Sequence, residues 1–297
     1  MSDWSELEHL PPDVITQRSP RSVYAVRGDL AADFEAAGYG ANSRAELPAS
    51  DLAGRTPLSE LVVGKQRFVV RRFSHGGLLR WLTGRRYLSP LRPFRELTLA
   101  RRLAGMGILV PEVVAARATR SAATWELELV SRRIEGSLDL GTLLLRRARD
   151  AVTPRVAASC ARALGELVAR LHQLEFLHAD LTPRNVLVEA DSLEQGKPRL
   201  WLVDLDGSRF VPGLSAQART ENLARLWRHV ARMESAQLVP DALRLCARFL
   251  AGYEPRRIPR HALFLAIAER HRRASGWHAA ASALERGVGA RRSQPRP

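Results

Sequence analysis

Between residues 60 and 73 the chain reads ELVVGKQRFVVRRF, two apolar runs with Gly64-Lys65 between them. That pattern predicts a β-hairpin. Further on, Trp125, Leu127 and Leu129 alternate with Glu126 and Glu128, the period of two of a half-buried strand. The stretch from VPEVVAARATR to WELELVSRRIEG therefore reads as two antiparallel strands. Between hairpin and strand pair, Pro93 opens a helical pattern over PFRELTLARRLAGMG, with Gly105 and Gly107 as stop signals. In residues 1–50 the only strand-like run is SVYAVRG, and Gly38, Gly40 and Pro48 mark loops.

Beyond Gly136 the pattern turns helical. Thr153-Pro154 is a start signal, with Thr as N-cap and Pro in the first turn. Val156, Cys160, Leu164, Leu167, Val168 and Leu171 then share one helix face, and Arg162, Glu166 and Arg170 the other. A short strand, NVLVEA, a turn near Gly196 and a second strand, RLWLVDLDG, follow. Leu223, Leu226, Trp227, Val230 and Met233 make a further apolar helical stripe. The tail, GVGARRSQPRP, has the composition of a disordered terminus.

This order predicts an α+β protein of two lobes. Residues 1–50 form an N-terminal extension of undefined structure, 51–132 a small β-rich lobe, 133–286 a larger helical lobe, and 287–297 a basic tail. The boundary falls at SRRIEG, residues 131–136. Two lobes joined by a connector predict a ligand cleft between them.

Composition narrows the setting. A chain of 297 residues with 45% hydrophobic positions can build a real core. The first residues are acidic and lack the apolar segment of a secretory signal. No run approaches the roughly 18 apolar residues of a spanning helix. A cytoplasmic protein is expected, with attachment to a membrane surface open. Cys160 and Cys246 lie in helical apolar patterns and read as small core residues of a reducing compartment. The net charge of +15, mostly from arginine, favours polyanionic partners such as nucleotides or an anionic membrane face. Abundant arginine without a specific partner accounts for it equally well.

The chemistry is concentrated in LHADLTPRNVLV, residues 177–188. Polar residues between apolar elements cost free energy unless they are paired, so a His, an Asp and an Asn there indicate a polar turn or a working site. Asn185 follows Asp180 by five residues, and Asp204 ends the next apolar strand. A carboxylate and an amide oxygen brought together by the hairpin are hard ligands suited to Mg²⁺. A second carboxylate, Asp180, can accept a proton from a hydroxyl nucleophile. Together they are the equipment of phosphoryl transfer.

The segment His178-Ala179-Asp180-Leu181-Thr182-Pro183-Arg184-Asn185 resembles the H-R-D-L-x-x-x-N catalytic loop of the protein-kinase-like fold, and Asp204-Leu205-Asp206 resembles its D-F-G. The resemblance implies Asp180 as catalytic base, Asn185 and Asp204 as Mg²⁺ ligands, ATP as co-substrate, and His178 as a structural prop. It also implies an N-lobe cation for the nucleotide phosphates. The matching position in RFVVRRF is Arg71, and its carboxylate partner is Glu96 on the helix opened by Pro93. Arginine here is a departure, since it is not interchangeable with lysine, yet it clamps phosphate bidentately. The glycine-rich loop is thin, with Gly54 in DLAGRTPLSEL as its one glycine. That loop reads equally as a surface turn.

No A-P-E-like segment follows Asp206, which leaves little platform for a peptide substrate. These departures, with FVVRRFSHGGLLRWLTGRRYL, FRELTLARRLAGMGILVPEVVAA and ENLARLWRHV, resemble the bacterial lipopolysaccharide core kinases over residues 54–232. Within that group the likeness is greatest to the kinases of 3-deoxy-D-manno-octulosonic acid (Kdo). The resemblance implies ATP-dependent phosphorylation of a Kdo hydroxyl on lipid A at the cytoplasmic face of the inner membrane. The partner would be Kdo-lipid A or a related core precursor, with peripheral contact to the anionic membrane through HGGLLRWLTGRRYLSPLR, or else those apolar residues pack in the small lobe. No specific nucleic acid is expected. RIO-like protein kinases and aminoglycoside-type phosphotransferases share the loop pattern and stand as alternatives. So does a non-catalytic module that binds polyanions or membrane through charge.

Overall fold

In the computed structural model of the protein, the structure describes residues 7, 9–41, 47–50, 58–74, 86–149, 151–235 and 241–272. The chain forms two compact units, residues 1–137 with 201–207, and residues 138–200 with 208–297. Gly54, most of the basic apolar segment HGGLLRWLTGRRYLSPLR (residues 75–85) and the tail lie outside the described residues.

The first unit is an antiparallel sheet of β1 (Val14–Arg18), β2 (Ser22–Arg27), β3 (Ser59–Val63), β4 (Gln66–Arg72), β5 (Val113–Ser121) and β6 (Thr124–Arg132), in the order β1-β2-β5-β6-β4-β3. The hairpin expected at Gly64-Lys65 is β3–β4, and the alternating segment is β6. Residues 14–18 and 22–27, from the segment before position 51, are strands of this sheet. Strand β2 pairs with β5, placing Ala25 opposite Ala116. Helix α1 (Ala31–Ala36) sets Phe34 into the core with Tyr24, Val26, Tyr39, Phe68, Val70 and Val130.

Period-two alternation along β4 decides where its arginine goes. Phe68 and Val70 are fully buried in the core, so Arg71 emerges on the opposite face. Phe73, two residues on, shares that face, and its ring lies 4.4 Å from the Arg71 guanidinium carbon. Helix α2 (Arg92–Gly105) has Pro93 in its first turn and buries Phe94, Leu97, Ala100 and Leu103, with Glu96 buried on the same side.

In the second unit β7 (Ser137–Asp139) leads into α3 (Leu140–Ala148), where the Asp139 side chain caps the helix by accepting from Thr142 N at 2.9 Å. Helix α4 (Pro154–Gln173) is capped as expected, Thr153 Oγ1 accepting from Val156 N at 3.3 Å. Its buried face is Ala157, Cys160, Leu164, Val168 and Leu171. β8 (Phe176–Leu177) follows, then β9 (Val186–Glu189), α5 (Ala190–Glu194), β10 (Leu200–Leu202), whose last two residues are assigned to the first unit, and β11 (Arg209–Phe210), α6 (Ala216–Ser235) and α7 (Ala242–Tyr253). β11 pairs antiparallel with β8. Residues 257–272 form a further helix.

Helices α4 and α7 meet through glycines. A Cβ on Gly165 would stand 2.0 Å from Phe249 O, and one on Gly252 would stand 2.1 Å from Arg162 O. Only hydrogen at both positions allows the backbones to approach this closely.

The strand expected over RLWLVDLDG is shorter than its pattern. It ends at Leu202, because Asp204 takes φ +59° and a strand ladder cannot hold a left-handed residue. NVLVEA likewise ends at Glu189, where α5 begins.

Candidate active site

In the first unit Arg71 gathers two of the predicted residues. Its Nη2 bonds Glu96 Oε2, and its Nη1 lies 2.5 Å from Asp204 Oδ1. The Glu96 side chain is only 5% exposed, and its Oε1 accepts from Leu205 N at 3.1 Å. One buried carboxylate thus ties a strand, a helix and the Asp204 turn together. Burial pushes the Glu96 carboxyl up to about 7, against the pull of the Arg71 charge. The neighbouring carboxylates raise the pKa of the Arg71 guanidinium above its ordinary value even though burial opposes its charge.

Asp204 sits in the left-handed region, which is strained for a residue with a Cβ. The bonds around it hold that conformation: Arg71 on its side chain and Glu96 on the next amide. Asp206 is half-buried and its carboxyl is raised by desolvation. Arg92 Nε lies 3.4 Å from Asp206 Oδ1, and the Arg92 guanidinium lies over the Tyr87 ring at 5.1 Å.

In the second unit the loop after β8 holds Asp180 and Asn185. Asn185 Nδ2 donates to Asp180 O at 2.7 Å and to Asp180 Oδ2 at 3.3 Å. Asn185 N donates to Thr182 O at 3.0 Å, through a single 3₁₀ turn at Pro183–Asn185. Leu181 and Thr182 are buried beneath it. The carboxylate is thereby oriented from within its own loop and is only half-buried.

His178 is 1% exposed, and its Nδ1 accepts from Asp180 N at 3.2 Å. The ring supports the loop backbone. Ser208 Oγ accepts from Ala179 N at 3.0 Å, and Asn222 Nδ2 donates to His178 O at 2.8 Å. Asn222 is held in turn. Its Oδ1 accepts from His172 Nε2 at 3.1 Å, so His172 Nδ1 accepts from Tyr253 OH, 2.8 Å away. Burial pulls His172 down to about 4, which keeps it neutral for these two roles.

Ser208, Asn222, His172 and Tyr253 had no signal in the sequence. Ser208 and Asn222 lie 29 and 44 positions along the chain from the loop residues they bond, and His172 acts on the loop only through Asn222. Of the predicted residues, Arg71, Glu96 and Asp204 meet in the first unit, and Asp180 and Asn185 meet in the second.

Carboxylate and amide oxygens are ligands of the type hard cations take. Asp204 gives one carboxylate oxygen to Arg71, and Asn185 spends its amide nitrogen inside the loop. Asp204 Oδ2 and Asn185 Oδ1 remain as oxygen donors.

An antiparallel sheet with an arginine–glutamate pair, followed by helices and a loop that aligns a carboxylate with an amide, defines a phosphotransferase of the protein-kinase-like fold. A solved structure described as "WaaP in complex with acyl carrier protein" has this fold. It aligns with a TM-score of 0.53 and 17% identity over 76% of this chain and 89% of that one. The model of the lipopolysaccharide kinase (Kdo/WaaP) family matches residues 51–253, and the chain belongs to that family. Among curated relatives, a protein of Mannheimia succiniciproducens is 29% identical over 62% of this chain and 74% of its own length. One of Stenotrophomonas maltophilia is 30% identical over 63% of this chain and 70% of its own. Both carry the name 3-deoxy-D-manno-octulosonic acid kinase.

Proposed function

We propose that the protein transfers the terminal phosphoryl group of ATP to a hydroxyl of Kdo on a lipid A-linked inner core precursor. The observation that carries this reading is the loop in which Asn185 aligns the half-buried Asp180 carboxylate. A carboxylate held this way accepts the proton of the attacking sugar hydroxyl as the oxygen bonds to phosphorus. By the family resemblance, Asp204 and Asn185 are the residues that would offer oxygens to Mg²⁺, which would supply charge neutralisation on the phosphates.

Arg71 supplies the guanidinium for the nucleotide phosphates, and Glu96 keeps it pointed. No described helix is long and apolar enough to cross a membrane. With a net charge of +15, the protein works as a peripheral enzyme at the cytoplasmic face of the inner membrane, drawn to its anionic surface.

The test is mass spectrometry of a Kdo-bearing lipid A precursor after incubation with protein, Mg²⁺ and ATP. The expected result is a gain of one phosphate that is absent with Asp180→Ala. No gain, with ATP still hydrolysed, would overturn the acceptor assignment.

A further inference from the structure

Helix α6 carries an arginine row that none of the roles above uses. Arg225, Arg228 and Arg232 follow one another at spacings of three and four residues, which places them on one face of the helix. The opposite stripe, with Leu223 and Leu226, is buried. Between Arg225 and Arg232 the sequence RLWRHVAR contains no acid. Arg270, from the helix of residues 257–272, joins the group by pairing with Glu221, one turn before Arg225.

Such a row works against folding. Like charges three and four residues apart on a helix repel one another. Burial first, and then the charges of Arg225, Arg232 and Arg270, lower the pKa of Arg228. The row also starts at the catalytic loop, because Arg225 Nη1 donates to the carbonyl of Ala179, the residue before Asp180.

We propose that Arg228 and Arg232, continuing from Arg225 at the loop, bind the anionic groups of the acceptor glycolipid, its phosphates or its sugar carboxylate. The inference rests on the acceptor reading given above and names the surface that recognises it. Guanidinium forks match both oxyanions bidentately. An anion laid along the row relieves the mutual repulsion of the arginines. Anchored there, it holds the acceptor beside Asp180 while its hydroxyl is deprotonated.

The experiment uses the full-length protein and a bisphosphorylated Kdo-lipid A precursor in neutral detergent micelles. Binding and phosphoryl transfer are measured separately, for wild type and for Arg228→Gln/Arg232→Gln. The double variant should weaken precursor binding and raise the acceptor KM at least about tenfold, as expected for lost charge-assisted bonds. The salt dependence of the acceptor KM should also become shallower. Arg228→Lys/Arg232→Lys, which keeps the charge, should recover part of the loss and separates binding from misfolding. Weakening that disappears with a phosphate-free precursor assigns the phosphates; weakening that persists assigns the carboxylate. If wild type transfers phosphate and the Gln variant has the same acceptor KM, the arginine site is wrong and the kinase reading stands. If wild type binds the precursor through the arginines without phosphorylating it, the arginine site stands and the acceptor reading fails. Absence of both binding and transfer overturns both.

Discussion

Arg71 Nη1 lies 2.5 Å from Asp204 Oδ1, although 133 positions separate the two residues in the chain. The same guanidinium bonds the buried Glu96, so one cation organises two carboxylates. Removing it leaves Glu96 buried without its partner, a condition that costs about 3 kcal/mol or more. Arg71→Ala should therefore lower the urea midpoint and weaken ATP binding together. Arg71→Lys has one ammonium where the native side chain has a fork. It should fold close to normally and lose about tenfold in ATP affinity, read by calorimetry. A lysine variant with native affinity would show that bidentate contact is not used.

Asp180 and Asp204 have separable roles in the proposed reaction. Asp180→Ala should reduce kcat by about 10²–10⁴-fold, the range of a positioned general base, while nucleotide affinity holds. Asp204→Ala should lose the Mg²⁺-dependent part of nucleotide binding, measured by titration with and without the metal. Retention of full rate by the Asp180 variant would move the base elsewhere.

The glycine crossing of α4 and α7 should be intolerant of even one carbon. Gly252→Ala places a methyl 2.1 Å from Arg162 O, where the obstacle is backbone. The helices must then separate, at about 3 kcal/mol by the cost of overpacking. Chemical denaturation of the variant measures it. An unchanged midpoint would mean that the helices shift apart freely.

His172 should make the fold sensitive to mild acid. Burial pulls its pKa down from 6.5 to about 4, so the folded protein resists a proton that the unfolded chain accepts. The stability this contributes is complete above pH 6.5 and is lost as pH falls from 6.5 towards 4. Its size is on the order of 3 kcal/mol. Urea midpoints measured across that window should fall for the native protein. His172→Gln should be less stable at neutral pH and flatter below it, and equal slopes would exclude the histidine as the origin.

Local chemistry explains why much of the fold was legible in advance. Thr153-Pro154 announces α4 because capping is a matter of adjacent atoms. Asp180 and Asn185 were recognisable for the same reason, since one loop holds both. The strand at RLWLVDLDG was overread because its apolar alternation continues past Leu202, while the backbone of Asp204 has already left the β region. A left-handed residue other than glycine leaves no mark in hydrophobic pattern.

By itself, then, the sequence determined the hairpin, the capped helices, the short-range loop geometry and the residue types for phosphoryl transfer. These depend on contacts within a few positions, which periodicity and capping encode. Only the tertiary structure decided that residues 14–27 extend the sheet, that Arg71 faces both Glu96 and Asp204, and that Asn222, itself held by His172, reaches back to brace His178. Those pairings join residues dozens of positions apart. They exist because strand register and helix packing bring the groups to one place, and a buried polar group held there must find its partner or lose its hydration without return.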